Sequence, residues 1–299
     1  MLGDLHHLGR AEAIATYVVP SDAGVMLVDP GPSVTREALE EVLRLFGASV
    51  HDVRHVLLTH IHLDHAGISG TLARELPKLR VYVHLKGAPH VVDPSRLLAS
   101  ATRIYGDQMD RLWGAVEPVP LDQLHVIRDR ERLTIGHRVL LAQPTPGHAV
   151  HHLAFLDEQD GAAFCGDVAG EVTQHHTPAL PAAPPPDIDL DAWRVSLDAI
   201  AAWRPEVLLL THFGLVPNPV EHMEEMWERL VAWHGLVKES LEWPATDDSR
   251  ADRFVDEEMD RLTSDLTAAA AQHVHRETVR SSWFGLARYC RTQANPAPA

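Results

Sequence analysis

Cysteine is almost missing from this chain. Two residues, Cys165 and Cys290, occur among 299, too few to staple a small secreted fold and consistent with a reducing compartment. The pair could bridge, but reduced thiols are expected. Long hydrophobic runs are missing too: no stretch approaches the roughly 20 apolar residues that span a bilayer. The opening MLGDLHHLGRAEA holds no basic segment leading into an apolar one, so a soluble, cytoplasmic protein without membrane attachment is expected. Positive charge is in deficit, with 26 Lys+Arg against 42 Asp+Glu and a net charge of −16. No basic patch offsets that deficit, which makes a nucleic-acid backbone an unfavourable partner. Nor is there a G-x-S-x-G nucleophile elbow or a solenoid repeat.

What the chain has in excess is histidine, 21 residues. Number alone locates nothing, and His6, His7, His125, His137, His234, His273 and His275 stand in polar or amphipathic surroundings where a solvated side chain is the ordinary reading. The stretch LLTHIHLDHAGISG, residues 57–70, is different. There His60, His62, Asp64 and His65 fall within six positions at the end of an apolar run. Crowded imidazoles desolvate poorly and repel one another when protonated, so a purely structural segment gains nothing from them. A cation bound among them removes the conflict.

Around that cluster the hydrophobic pattern switches between strand and helix. TYVVP (16–20) and VMLVDPG (25–31), split by SDAG, read as paired strands. A helix is expected from about Ser33, with Leu39, Val42, Leu43 and Phe46 on one face and Gly47 as its stop. RHVLL then returns as a buried strand that delivers the cluster at its carboxyl end. AGISGTLARELP reads as helix, RVYVHL as strand, and Pro94 to Trp113 as inserted helices. From residue 132, RLTIG, RVLLAQPTPGH, VHHLAFLD and GAAFCGD read as consecutive antiparallel strands. TPALPAAPPPD (177–187) is a stiff loop, because proline donates no ladder hydrogen bond. A helix over Leu190–Trp203 precedes PEVLLLTH, a buried strand ending on His212. Beyond Pro219, apolar stripes through Met223, Met226, Trp227, Leu230, Val231, Val237 and Leu241, then Val255, Met259, Leu262, Leu266 and Ala270, predict helices. The final NPAPA reads as a disordered tail.

Three strand ends carry further ligand types: His148 in TPGH, Asp167 in FCGD and His212 in LLLTH. Each lies where an apolar strand gives way to a turn, so a rigid sheet can hold the side chain at its edge. Neutral imidazole and carboxylate suit zinc, and also iron or manganese. Five histidines and two aspartates suffice for two ions, with one carboxylate between them.

In this order the residues resemble the metallo-β-lactamase-fold superfamily. Its H-x-H-x-D-H signature is matched by His60, His62, Asp64 and His65, and its later ligands by His148, Asp167 and His212. Its early aspartate, which supports the ligand loop from behind, is matched by Asp29. The resemblance covers roughly residues 10 to 215. It implies an α/β fold, an αββα sandwich of two mixed β-sheets flanked by helices, with 1–218 as catalytic domain and 219–299 as a helical C-terminal extension. It also implies that His60, His62 and His148 hold one metal ion, that Asp64, His65 and His212 hold a second, and that Asp167 bridges them. Two divalent ions, zinc first with Mn2+ or Fe2+ as alternatives, would share a hydroxide that attacks a small ester, thioester, lactone or phosphoester. Asp64 is the expected catalytic residue, orienting that hydroxide or receiving its proton.

Departures narrow the family. True β-lactamases of this fold place cysteine or serine where Asp167 stands, and flavin-linked diiron members place glutamate where His62 stands. Lactone-hydrolysing members carry a tyrosine where this chain has Gly170. Glyoxalase II shares all seven ligands, but its basic glutathione-binding residues find no match here. The chain is most similar to loosely defined hydrolases with a carboxyl-terminal helical extension. Two other classes compete: an oxygen-using enzyme similar to persulfide dioxygenases, with one iron on two histidines and an aspartate, and a non-catalytic module stabilised by metal. A small-molecule substrate is expected, and the C-terminal helices offer a surface for a homodimer. His175 and His176 could overhang the metals, while Lys86, Arg103 and Tyr105 fall in the insertion, where a lid could form. Of His151 and His152, strand alternation would let at most one face the site.

Overall fold

The computed structural model describes residues 1–172, 177–264, 266–267, 271 and 274–294. Twelve strands among them form two six-stranded sheets. The first runs in sequence order through β1 (Leu2–Asp4), β2 (Ala15–Ser21), β3 (Gly24–Val28), β4 (Val53–Leu57), β5 (Arg80–His84) and β6 (Leu124–Ile127). Its β1–β2 and β2–β3 pairings are antiparallel and the remaining three parallel. The second contains β7 (Glu131–Ile135), β8 (Arg138–Pro144), β9 (Leu153–Asp157), β10 (Ala162–Gly166), β11 (Val207–Leu210) and β12 (Gly214–Val216), and only β10–β11 pair in parallel. Both sheets are mixed, and the four strands expected from residue 132 onward are consecutive and antiparallel.

Period-two alternation sorts the side chains of the first sheet into two layers. Tyr17, Val19, Met26, Val28 and Leu57 face inward and meet Leu133, Ile135, Leu140, Phe155 and Phe164 of the second sheet. The residues between them, Val18, Val25, Leu27, Val56 and Leu58, face outward and pack on α1 (Arg36–Leu45) and α3 (Ser69–Glu75) through Leu39, Leu43 and Leu72. A 3-10 turn at Ser33–Thr35 leads into α1, and Gly47 ends it with φ of 73°. Between α1 and α3 in sequence, α2 (Leu63–Ala66) is a single turn holding Asp64 and His65. The insertion folds as α4 (Ala88–Val92), α5 (Ser95–Tyr105) and α6 (Met109–Leu112), and Trp113 anchors it against Leu63 of the histidine loop.

The outer face of the second sheet is covered by α7 (Leu190–Ala202), α8 (Pro219–Ser240), α9 (Asp247–Thr263) and α10 (Arg276–Ala294). Trp193, Leu197, Met223, Met226, Leu230, Trp233, Phe254 and Trp283 join Leu208 and Leu210 of β11 in one cluster. The C-terminal helices therefore share the core of the sheet that positions the site. Cys165 and Cys290 are both free thiols. No helix among the described residues is long and apolar enough to cross a membrane. Ala270 and the tail NPAPA lie outside the described residues.

Candidate metal centre

The seven side chains converge at one edge of the sandwich because four strand ends deliver them there. β4 ends at Leu57 and hands over to His60, His62, Asp64 and His65; β8 runs into the loop of His148; β10 ends at Gly166, just before Asp167; β11 ends at Leu210, two residues before His212. β3 contributes Asp29, one residue past its end.

Two groups of potential ligands result. His60, His62, His148 and Asp167 offer atoms all within 4.8 Å of one another, and so do Asp64, His65 and His212. In the first group His60 Nε2 lies 2.9 Å and His148 Nε2 3.1 Å from His62 Nδ1. The single proton that His62 Nδ1 can carry serves one of these two contacts, not both. His148 Nδ1 donates to the Ala182 carbonyl at 2.7 Å, and His60 Nδ1 sits 3.1 Å from the Thr59 hydroxyl. With each proton on Nδ1, both Nε2 atoms present lone pairs to the same point. Tetrahedral zinc ligands at their usual bond lengths sit about 3.3 Å apart, close to these separations.

The second group repeats the pattern. His65 Nδ1 donates to Asp29 Oδ2 at 2.8 Å and His212 Nδ1 to the Ala13 carbonyl at 2.7 Å. Their Nε2 atoms are left facing carboxylates: His65 Nε2 lies 3.2 Å from Asp167 Oδ1, and His212 Nε2 lies 3.2 Å from Asp64 Oδ2. Both His65 Nε2 and Asp167 Oδ1 are buried without a hydrogen-bond partner, which a fold tolerates poorly unless an ion completes the set. Asp167 stands between the groups. Its Oδ2 is 3.5 Å from His148 Nε2 and 3.9 Å from His60 Nε2, while its Oδ1 is 3.2 Å from His65 and 3.7 Å from His212. Each oxygen faces one trio, so the residues present fit a pair of small divalent cations.

Charge divides the site in the same way. In the first trio burial and neighbouring imidazoles keep the rings neutral, with His60 well below its ordinary value and His62 down to about 3. In the second, burial would lower the histidines but the carboxylates outweigh it. Asp167, Asp29 and Asp64 raise His65, while Asp167 and Asp64 bring His212 up to about 9. Asp167 is held well below the ordinary carboxylate range, because the surrounding histidines outweigh its burial. The carboxylates thus favour positive charge at His65 and His212, on the side where the second cation would sit.

Asp29 supports this arrangement. It is fully buried and adopts φ of 50°, in the left-handed region that aspartate tolerates. It accepts hydrogen bonds from the Thr59 amide at 2.8 Å, the Thr59 hydroxyl at 2.7 Å, His65 Nδ1 at 2.8 Å and the Thr211 hydroxyl at 2.8 Å. Sequence reasoning misses the two threonines. Their signal is a repeat, LLTH at 57–60 and again at 209–212. His152 is a further supporting residue: its Nε2 accepts the Asp167 amide at 3.2 Å while its Nδ1 lies 2.8 Å from the Thr145 hydroxyl.

The strand alternation expected to separate His151 from His152 is absent. Both rings lie against His60, at centroid distances of 6.1 and 5.1 Å. The reason is local: β9 begins only at Leu153, and residues 149–152 form a turn to which strand alternation does not apply. Tyr105 packs edge-on against Trp113 at 5.2 Å, and burial first, then the negative charges of Asp64 and Glu277, push its hydroxyl upward. Arg103 is exposed on α5 and Lys86 is exposed after β5. His175 and His176 lie outside the described residues.

A family model described as the metallo-beta-lactamase superfamily matches residues 9–212. The protein ST1585 of Sulfurisphaera tokodaii, described as metallo-beta-lactamase fold-containing, is 28% identical over 177 residues, covering 58% of this chain and 66% of its own. The thioesterase pkgB of Emericella nidulans is 32% identical over 152 residues, 51% of this chain and 34% of that one. Both matches thus span less than two thirds of the relative's length. Among solved structures, the metallo-beta-lactamase family protein TTHA1429 of Thermus thermophilus superposes with a TM-score of 0.69 at 24% identity, covering 94% of this chain and 89% of that one. At that identity the likeness concerns the fold.

Proposed function

The chain belongs to the metallo-beta-lactamase superfamily, and from that premise we propose that it is a dinuclear metal-dependent hydrolase of small esters or thioesters. The observation that carries this reading is the division of the Asp167 carboxylate, one oxygen toward each histidine group. A persulfide-dioxygenase-like site needs only one ion, and the second group of Asp64, His65 and His212 would then have no purpose. Of the substrate classes, thioesters gain support from the likeness to a thioesterase.

Two divalent cations, when bound there, would supply Lewis acidity toward water and a scissile carbonyl. Zinc suits the donor set best, and manganese or iron would also fit. The protein's own part is positional. His60, His62 and His148 form a neutral trio on one side, and His65 and His212 are held by Asp29 and the Ala13 carbonyl on the other. Asp64, partly exposed and 3.2 Å from His212 Nε2, is the carboxylate placed to hold the proton that attacking water gives up. The Asp167 side chain, almost fully buried, keeps the two groups at a fixed spacing. The reading is tested by measuring metal content and then assaying esters, thioesters, lactones and phosphodiesters. It expects two divalent ions per chain and metal-dependent hydrolysis of an ester or thioester. One iron with oxygen consumption, or full metal with no hydrolysis, would contradict it.

A further inference from the structure

Away from the metal ligands, a groove of about 540 Å3 runs between α4 and the edge strand β6. That volume falls within the range of small-molecule sites, about 300–1,000 Å3. Its lining is built from two registers. Leu124, Val126 and Arg128 alternate along β6 and just beyond it, so they share one face. Ala88 and Val92 lie four residues apart on α4, and Arg96 follows on α5. Leu85 and Leu121 add apolar surface while 40% and 72% exposed.

The two arginines stand at opposite ends. The Leu85 amide donates to the Ile127 carbonyl, which fixes the β5 end of the groove beside Arg128. The Val119 amide donates to the Val91 carbonyl, which fixes the far end of α4 toward the start of β6, and Arg96 lies just beyond on α5. Arg96 shares its end with Asp93, the one acid in the lining, whose carboxylate is held down first by hydrogen bonds from Ser95 and then by the guanidinium charge. Arg128 has no acidic neighbour in the lining and makes no ion pair among the described residues. In a chain of net charge −16, an arginine left without a carboxylate at the end of an apolar trough is complementary to one anionic group with an apolar tail.

We propose that this groove binds an aliphatic monocarboxylate, its chain lying along Leu85, Val92, Leu124 and Val126 and its carboxylate meeting Arg128. The site is separate from the metal centre, and binding is measured without turnover, so the hydrolase reading can fail without this one failing. The experiment is isothermal titration of the full chain with decanoate and with decanol, both below their aggregation limits. Decanoate is expected to saturate one site, with at least tenfold weaker binding in Arg128→Gln, little change in Arg96→Gln, and weaker binding in Leu121→Glu. Decanol is expected to bind weakly to every variant. Arg128 and Leu121 are exposed, so circular dichroism should show the variants folded, and hydrolysis of a short acetyl ester should be unchanged in Arg128→Gln. Decanoate that fails to saturate, that binds Arg128→Gln as well as the parent, or that binds no better than decanol would overturn the assignment. So would a dimer that Leu121→Glu dissociates and that decanoate leaves intact, since a second copy would then own the groove.

Discussion

Asp29 accepts hydrogen bonds from residues following two different strands and from a histidine of the ligand loop, all within a fully buried setting. Replacing it with alanine leaves those donors without an acceptor, and buried donors are costly to strand. Asp29→Ala should unfold at lower denaturant, by about 3 kcal/mol, judged from buried hydrogen-bonded charges elsewhere. Because Asp29 also fixes the His65 ring, metal affinity should fall about 10–100-fold, the usual effect of removing a support behind a ligand. Chelator competition reads that affinity, and an unchanged value would show that His65 is held by something else. At the same scale, Asp167→Ala should reduce metal at both groups, whereas His62→Ala should remove it mainly from the first and abolish nearly all hydrolysis. Metal analysis of the dialysed variants separates the two outcomes.

The titrating residues also set the pH response of the metal-free protein. His212 is raised to about 9, so the stability from its contact with the carboxylates is complete below about 6.5 and is lost as pH rises through about 9. His62, lowered to about 3, acts in the opposite sense: its contribution is present above about 6.5 and is lost as pH falls toward 3. Metal-free protein should therefore be most stable near pH 6.5, with thermal midpoints falling on both sides. Added zinc should lift the alkaline side most, because a cation replaces the proton on His212. A flat midpoint between pH 6.5 and 9 without metal would contradict the charge assignment.

At the scale of elements, the loop between β8 and β9, packed against α7, shows how packing aims a ligand. Gly147 has φ of 143°, and a Cβ there would lie 2.4 Å from the Trp193 Cα. Trp193 is fully buried, donates its indole N–H to the Val168 carbonyl at 2.6 Å and meets the His148 ring edge-on at 6.0 Å. Gly147→Ala must therefore push the His148 loop away from α7. Metal bound by the first group should weaken while the second group keeps its ligands, and chelator competition should resolve the two as separate steps. Equal loss from both groups would show that the loop does not act on His148 alone.

Much of this is legible in the sequence because strand ends announce themselves chemically. β3, β4, β10 and β11 each read as an apolar run closed by a polar ligand type, and α1, α7 and α8 by their apolar faces. What is not legible lies in short or non-local features. β1 and β12 hold 3 residues each and β6 holds 4, too few for a period to show. Thr59 and Thr211 read as strand residues until Asp29, far away in sequence, joins them. The turn at 149–152 reads as strand because VHHLAFLD is rich in apolar residues, and only the fold shows pairing starting at Leu153.

For the whole molecule, α8, α9 and α10 share one apolar cluster with α7, β10 and β11. Met226, Leu230 and Trp233 of α8 are buried almost completely, and so is Trp283 of α10. A chain ending at residue 218 would expose the partners of these side chains on the face that carries β11, the strand leading to His212. It should lose its cooperative unfolding transition and aggregate, which calorimetry and light scattering would record. A soluble, cooperatively folding fragment would instead mark residues 219–299 as an independent extension.

The central claim is that Asp167 lies between two cations, with His60, His62 and His148 on one side and Asp64, His65 and His212 on the other. Anomalous diffraction from zinc-grown crystals, recorded on both sides of the metal absorption edge, tests it directly. The account predicts two peaks, each beside one trio and each reached by a different Asp167 oxygen. A single peak, or two peaks with Asp167 bound to neither, would contradict it.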